Sequence, residues 1–202
     1  MLAEVFALYQ RAILIDPEDF ETNFNLGVLY FEHKKDYDKA ISHLTLAINE
    51  EENATACFNL AIIYDEKGQS QEAMKAYQRV LKLDPNHYKA KVNLGIIHEK
   101  LGHGKKALAQ YEDAIRDNPR EPRILQNMGI NMKRAGKFTD ALNYYNCAID
   151  LDPVNPIVHY NTGILHSIRS EYPEAISHLE KSINNSKDNV YAYLALGDAL
   201  ER

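Results

Sequence analysis

The feature that most limits what this chain can become is an internal period of 34 residues. The segments FNLGVLY, FNLAIIY, VNLGIIH, QNMGINM, YNTGILH and YLALGDAL recur along its 202 residues. Their small residues stand at Gly27, Ala61, Gly95, Gly129, Gly163 and Gly197, one period apart. A second set of small residues (Ala40, Ala73, Ala107, Ala141 and Ala175) lies between them. Asp16-Pro17, Asp84-Pro85, Asn118-Pro119 and Asp152-Pro153 punctuate the ends of the second segments. Ala40 alone is displaced by one residue, which predicts an insertion in the turn His33–Asp36 and a compensating short loop near Glu52. A period of this length predicts a stack of small supersecondary units, none of which can bury its apolar face alone.

Each unit reads as two helices. Phe24, Val28, Leu29 and Phe31, and then Phe58, Ile62 and Ile63, recur among polar residues at helical spacing. Turn residues follow, as in Lys67-Gly68-Gln69-Ser70 and Leu101-Gly102-His103-Gly104. The next amphipathic segment, such as 72–83, ends at Asp-Pro, where proline cannot continue a helix. Small residues such as Gly95 and Ala107 let two helix backbones approach at a crossing, with Leu94 and Tyr111 filling the space beside them.

Asn25-Leu26-Gly27 with Tyr30, Tyr37-Asp38-Lys39-Ala40 with Ala47, and Asp84-Pro85 resemble the elements of the tetratricopeptide repeat, and the likeness runs over essentially the whole chain. The resemblance implies an all-α solenoid of antiparallel helix pairs wound into a right-handed superhelix. It divides residues 1–202 as a single array: a lone second helix within 1–19, full repeats at 20–53, 54–87, 88–121, 122–155 and 156–189, and a lone first helix at 190–202. The sequence departs from the family in lacking tryptophan. Asn23, Cys57, Lys91, Leu125 and His159 take the place of the aromatic residue near each unit's start. Leu194, Leu196 and Leu200 are expected to lack a covering helix, which points to a section of a longer array or to ends that stack on another molecule.

The resemblance implies that the first helix of each unit lines a concave groove. The sixth residue of successive units is Asn25, Asn59, Asn93, Asn127 and Asn161; with only 17 asparagines in the chain, five in one column are not a product of composition. Two readings follow: duplicated residues bonded to a neighbouring helix, or a row of carboxamides that stay unengaged until they grip a peptide backbone. In similar arrays, such as the O-GlcNAc transferase superhelix, asparagines at the matching place hold ligand backbones. Val28, Ile62, Ile96, Ile130 and Ile164 follow three residues after each asparagine and are either core or groove floor. Charge along the lining is acidic near Glu21 and Glu32, basic at Lys89, Lys100, Arg123, Lys133 and Arg134, and neutral at Ile157 and Ile168. The basic centre favours an acidic stretch of ligand. A co-chaperone type of carboxylate clamp is not completed by either candidate set, Lys89-Asn93-Asn127 or Asn59-Asn93-Arg123.

A net charge of −6 argues against a chain-wide basic surface for nucleic acid. No apolar run approaches the roughly 18–20 residues of a membrane span, and the start MLAEVFALYQRAILIDPEDF carries Glu4 and Arg11 within its apolar stretch, unlike a secretory signal. Cys57 and Cys147 form no disulfide framework, so a reducing, cytoplasmic setting is expected. The eight histidines show no metal-ligand spacing, Gly102-His103-Gly104-Lys105-Lys106 lacks the spacing of a phosphate loop, and no nucleophile–base pair is evident. The expectation is therefore a scaffold without enzymatic activity, metal or cofactor, which binds an extended peptide or partner segment. The alternatives are the substrate-recruiting region of an O-GlcNAc-transferase-like enzyme and a structural subunit of a ciliary or cell-cycle assembly. End-to-end self-association through the unpaired terminal helices is a further expectation.

Overall fold

The structure, a computed structural model, describes residues 2–202; Met1, at the head of the expected lone helix, lies outside them. Helix α1 (Leu2–Ile15) is followed by the pairs α2 (Phe20–Leu29) and α3 (Tyr37–Glu50), α4 (Ala54–Glu66) and α5 (Ser70–Leu83), and α6 (Tyr88–Lys100) and α7 (Gly104–Asp117). The pairs α8 (Pro122–Arg134) and α9 (Phe138–Leu151), then α10 (Pro156–Ile168) and α11 (Tyr172–Asn185), lead to α12 (Val190–Leu200). No strand occurs among the described residues. The chain divides into two compact units, residues up to Ile97 and His98–Arg202.

Local chemistry sets the helix starts. Asp19 and Asp36 accept from the backbone N–H of Thr22 (2.7 Å) and Lys39 (3.1 Å), and Asn53, Asn155 and Asn189 cap α4, α10 and α12 in the same way. Pro122 and Pro156 open α8 and α10, where a missing N–H costs nothing. The turn inside each pair passes through a left-handed residue at one fixed place. Glycine holds it in three repeats (Gly68 φ 77°, Gly102 φ 76°, Gly136 φ 74°), while Lys35 and Ser170 adopt φ 51° and 61°. The extra residue of the first pair is taken up differently from the sequence expectation. Tyr30–Lys34 is a π-helical turn that extends α2, so the added residue sits mainly in the helix end and the left-handed turn is preserved.

Within the first unit, Leu44, Ile63, Tyr77 and Val80 are fully buried between paired helices; within the second, Tyr111, Ile124, Tyr145, Leu165 and Leu179 are. Burying one Leu- or Ile-sized side chain stabilises by about 1.5–3 kcal/mol. The periodic small residues work as sockets for this packing. A Cβ placed on Gly27 or Gly163 would lie 2.6 Å or 2.7 Å from Cγ of Leu44 or Leu179, and one on Gly129 would lie 2.4 Å from the ring of Tyr145.

In the first and last full repeats, the slot where the family aromatic is missing is filled by polar groups that pin the inter-repeat turn. Asn23 is fully buried; its amide nitrogen donates to the Pro17 carbonyl at 2.9 Å, and its amide oxygen lies 3.0 Å from His43 Nδ1. His159 does the same work one hundred and thirty-six residues later, bonding to the Pro153 carbonyl at 2.9 Å and to His178 Nδ1 at 3.0 Å. Buried polar atoms are tolerated here because each has a partner.

Candidate functional site

On each first helix, four of the expected groove residues are spaced i, i+4, i+7 and i+11, which brings them to one helix face. Lys89, Asn93, Ile96 and Lys100 form this stripe on α6, and Arg123, Asn127, Ile130 and Arg134 form it on α8. Ile62, Ile96, Ile130 and Ile164 are half-buried, while Lys89, Arg123, Lys100 and Arg134 are exposed. Position along the stripe thus separates a half-covered aliphatic centre from charged ends.

The five asparagines share a register but not a bonding state. In the first unit, Asn25 donates to the carbonyl of Glu21 on its own helix at 2.8 Å. The Asn59 side chain is half-buried and makes no hydrogen bond among the described residues. Asn93 donates to the Tyr77 hydroxyl at 3.0 Å, so its amide joins two successive repeats. In the second unit, the buried Asn127 has no partner for its amide nitrogen. Asn161 is engaged through both amide atoms: its oxygen accepts from Lys133 Nζ at 2.9 Å and its nitrogen donates to the Ile157 carbonyl at 3.0 Å. Asn25, Asn93 and Asn161 are therefore already bonded within the chain, and the row is not uniformly unengaged.

A spacing of sixteen residues does not predict this split, because a tyrosine stands there before bonded and unbonded asparagines alike. Tyr77 precedes Asn93, and Tyr111 and Tyr145 precede Asn127 and Asn161 by the same interval, whereas Leu44 stands near that place before Asn59. The Tyr145 hydroxyl is buried without a partner, unlike that of Tyr77. Tyr77→Phe is expected to cost about 1 kcal/mol, because Asn93 loses its acceptor, while Tyr145→Phe should be neutral or stabilising. Thermal melts of the two variants check this; equal losses would contradict it.

Glu99, one of the lining charges late in α6, has a role that its place in the sequence did not show. Its side chain is only 9% exposed and lies 3.5 Å from Arg134, and its Oε1 accepts from Asn131 Nδ2 at 3.2 Å. Burial, and behind it the negative charge of Glu99, push the Tyr111 phenol well above its ordinary range. Lys133 is shifted the other way, below the usual lysine range, by burial and by the adjacent Arg134 charge. The basic centre of the second unit is thus partly spent internally: Arg134 faces Glu99 and Lys133 holds Asn161.

No group of three or more His, Cys, Asp or Glu side chains suited to a metal ion occurs among the described residues. No helix of the described residues is long and apolar enough to cross a membrane.

Solved structures give the same architecture. The chain is similar to MamA at 25% identity and a TM-score of 0.68, covering 72% of this chain and 85% of that one. It is similar to YrrB, described as a TPR protein with an unusual peptide-binding site, at 22% identity and a TM-score of 0.70, covering 93% and 96%. It is also similar to pilF of Pseudomonas aeruginosa at 16% identity and a TM-score of 0.81, covering 99% and 89%. No curated protein matches the chain. Models of the tetratricopeptide repeat match residues 8–42, 54–87 and 128–189, together well over half of the sequence. With the helix pairs, the 34-residue register and these matches in agreement, the chain belongs to the tetratricopeptide repeat family.

Proposed function

We propose that this protein is a non-catalytic interaction scaffold that holds an extended peptide or partner segment along the first-helix stripes. The observation that carries the reading is the repeated amide-and-aliphatic stripe, on which Asn59 and Asn127 retain unspent hydrogen-bonding capacity. An extended backbone offers one donor and one acceptor per residue, which a carboxamide can meet at once. Half-buried Ile62 and Ile130 supply apolar contact beside those amides, and exposed Lys89 and Arg123 favour acidic ligand residues. The likeness to YrrB, described as having a peptide-binding site, supports the same reading. An O-GlcNAc-transferase-like recruiting role is the enzyme-linked variant of this proposal, resting on the asparagine register alone.

Peptides selected by display against the intact chain provide the test, with affinity read by fluorescence polarisation. Asn59→Ala and Asn127→Ala are each expected to weaken capture about fivefold, the equivalent of one net hydrogen bond near 1 kcal/mol. Helicity by circular dichroism should stay unchanged. Unaltered affinity in both variants would remove the proposal.

A second reading, self-association or incorporation into a larger assembly, is supported by exposed apolar side chains on the first and last helices. Leu8, Leu14 and Ile15 on α1 and Tyr191, Leu194 and Leu200 on α12 are all more than 60% exposed. Light scattering that finds a monomer at every concentration would count against the self-associating form.

A further inference from the structure

The second unit contains a cleft that adjoins the asparagine stripe at Arg134, at the edge where the α6–α7 turn meets the C-terminal end of α8. It encloses about 540 Å³, a volume ordinary for a ligand site. Leu108, Met132 and Ala135 contribute apolar walls, and Lys105, Arg134 and Lys137 contribute cations.

Three features set this cleft apart from the equivalent places in the other repeats. First, two of its three cations are not matched. Lys105 and Lys137 pair with no carboxylate among the described residues, whereas Lys67, Arg79 and Arg169 pair with Asp38, Glu52 and Glu171. Glu99 is the one acidic residue in the lining, and it is buried against Arg134 and Asn131. Second, the lysines stand where positive charge is unfavourable. Lys105 lies in the first turn of α7 and Lys137 at the start of α9, and neither helix start has a side-chain cap. The same two register places hold Gln71, Thr139 and Pro173, and Gln69, His103 and Glu171, in other repeats, so the repeat itself does not demand lysine there.

Third, the cleft wall is braced by a polar residue at a core position. Ile63, Ile97 and Leu165 occupy this register place elsewhere and are fully buried. Here Asn131 is buried instead, donating both to Glu99 Oε1 and to the Gly104 carbonyl at 3.2 Å. A buried amide in place of an aliphatic group is sustained only by such bonds. They tie the α6–α7 turn to α8 along the cleft wall.

We infer that this cleft takes a short acidic–aliphatic peptide segment of a partner protein, with an aliphatic side chain between Leu108 and Met132 and flanking carboxylates at Lys105, Lys137 and Arg134. The cationic mouth selects carboxylates over amides, and the apolar walls select an attached aliphatic residue over a bare ion. This site shares only Arg134 with the asparagine stripe and does not depend on the stripe's amides.

The intact chain is titrated with two peptides, Asp-Glu-Leu-Leu-Glu-Asp and its uncharged counterpart Asn-Gln-Leu-Leu-Gln-Asn, and followed by amide NMR shifts. The acidic peptide should move Gly102, Gly104 and Lys137, with affinity falling as salt rises. The uncharged peptide should bind at least about tenfold more weakly, as should Lys105→Glu/Lys137→Glu with the acidic one. Lys105→Arg/Lys137→Arg, which keeps both charges, should bind as the parent does. Absence of binding overturns the inference. Shifts confined to Asn127 and Ile130 overturn it too, while leaving the stripe proposal intact. Identical shifts and full competition by inorganic phosphate at equal concentration would reduce the cleft to a simple anion site and equally refute it.

Discussion

Gly129→Ala is expected to lower stability by about 2 kcal/mol, read as the shift of the urea unfolding midpoint. The added Cβ would lie 2.4 Å and 2.6 Å from two ring carbons of Tyr145 and 3.1 Å from a third. Tyr145 is fully buried between α8 and α9, so its stiff ring cannot swing into solvent as a long flexible side chain would. Overpacking of this kind costs about 1–3 kcal/mol, with a rigid ring at the upper end. Alanine returns about 1 kcal/mol of helix propensity, which leaves the stated net loss. Gly197→Ala is the matched control. Nothing lies within 4 Å of a Cβ there, and the residue is exposed within α12. That variant should gain about 0.5–1 kcal/mol from propensity alone. Losses of similar size at the two sites would mean that the glycines answer to backbone conformation and not to the socket.

Acidification should weaken the last helix pair by about 1–2 kcal/mol between pH 6.5 and pH 4. His178 on α11 is packed against His159 and His166 of α10 at ring distances of 5.2 Å and 5.6 Å. Burial, followed by the fields of His159, His166 and Lys181, pushes its pKa down to about 4 from 6.5. The Pro153 carbonyl can only accept, so His159 carries its proton on Nε2 and receives a hydrogen bond on Nδ1 from His178. His166 is held in turn by Glu171, its Nδ1 lying 2.7 Å from the carboxylate. A histidine whose folded pKa is depressed is neutral in the native protein but takes up a proton when unfolded. The unfolded chain therefore binds more protons across this window, and stability is complete above pH 6.5 and declines toward pH 4. The full shift would amount to more, but His178 is only half-buried and solvent screens part of the effect. His178→Gln keeps a donor for His159 and removes the titration, so its melting temperature should vary less with pH over the same range. An unchanged pH slope in that variant would assign the acid sensitivity to other groups, His43 among them, whose pKa burial also lowers.

The repeat, its helix pairs and the socket glycines were legible in the residues because each depends on short-range rules. Helical spacing, an Asp-Pro stop and a left-handed turn residue act within a few positions of themselves. Gly27, Gly129 and Gly163 follow from the same logic, since a period brings the same pair of helix faces together each time. The asparagine register was equally plain. The single insertion was legible as a count but not as a shape: it became a π turn at Tyr30–Lys34 because extending α2 kept the turn geometry that every repeat shares.

Which amides are spent belongs to the folded chain alone. Asn93 meets a tyrosine, Asn161 meets a lysine from the preceding repeat, and Asn127 meets neither, although all three occupy one place in the period. The cleft around Asn131 and Glu99 is of the same kind, built from side chains 32 residues apart that no local pattern couples. Periodic apolar residues dictate how the backbone stacks, because burial is non-directional and tolerates exchange among similar side chains. Hydrogen bonds and ion pairs are directional and short, so their partners are chosen only once the helices are in place.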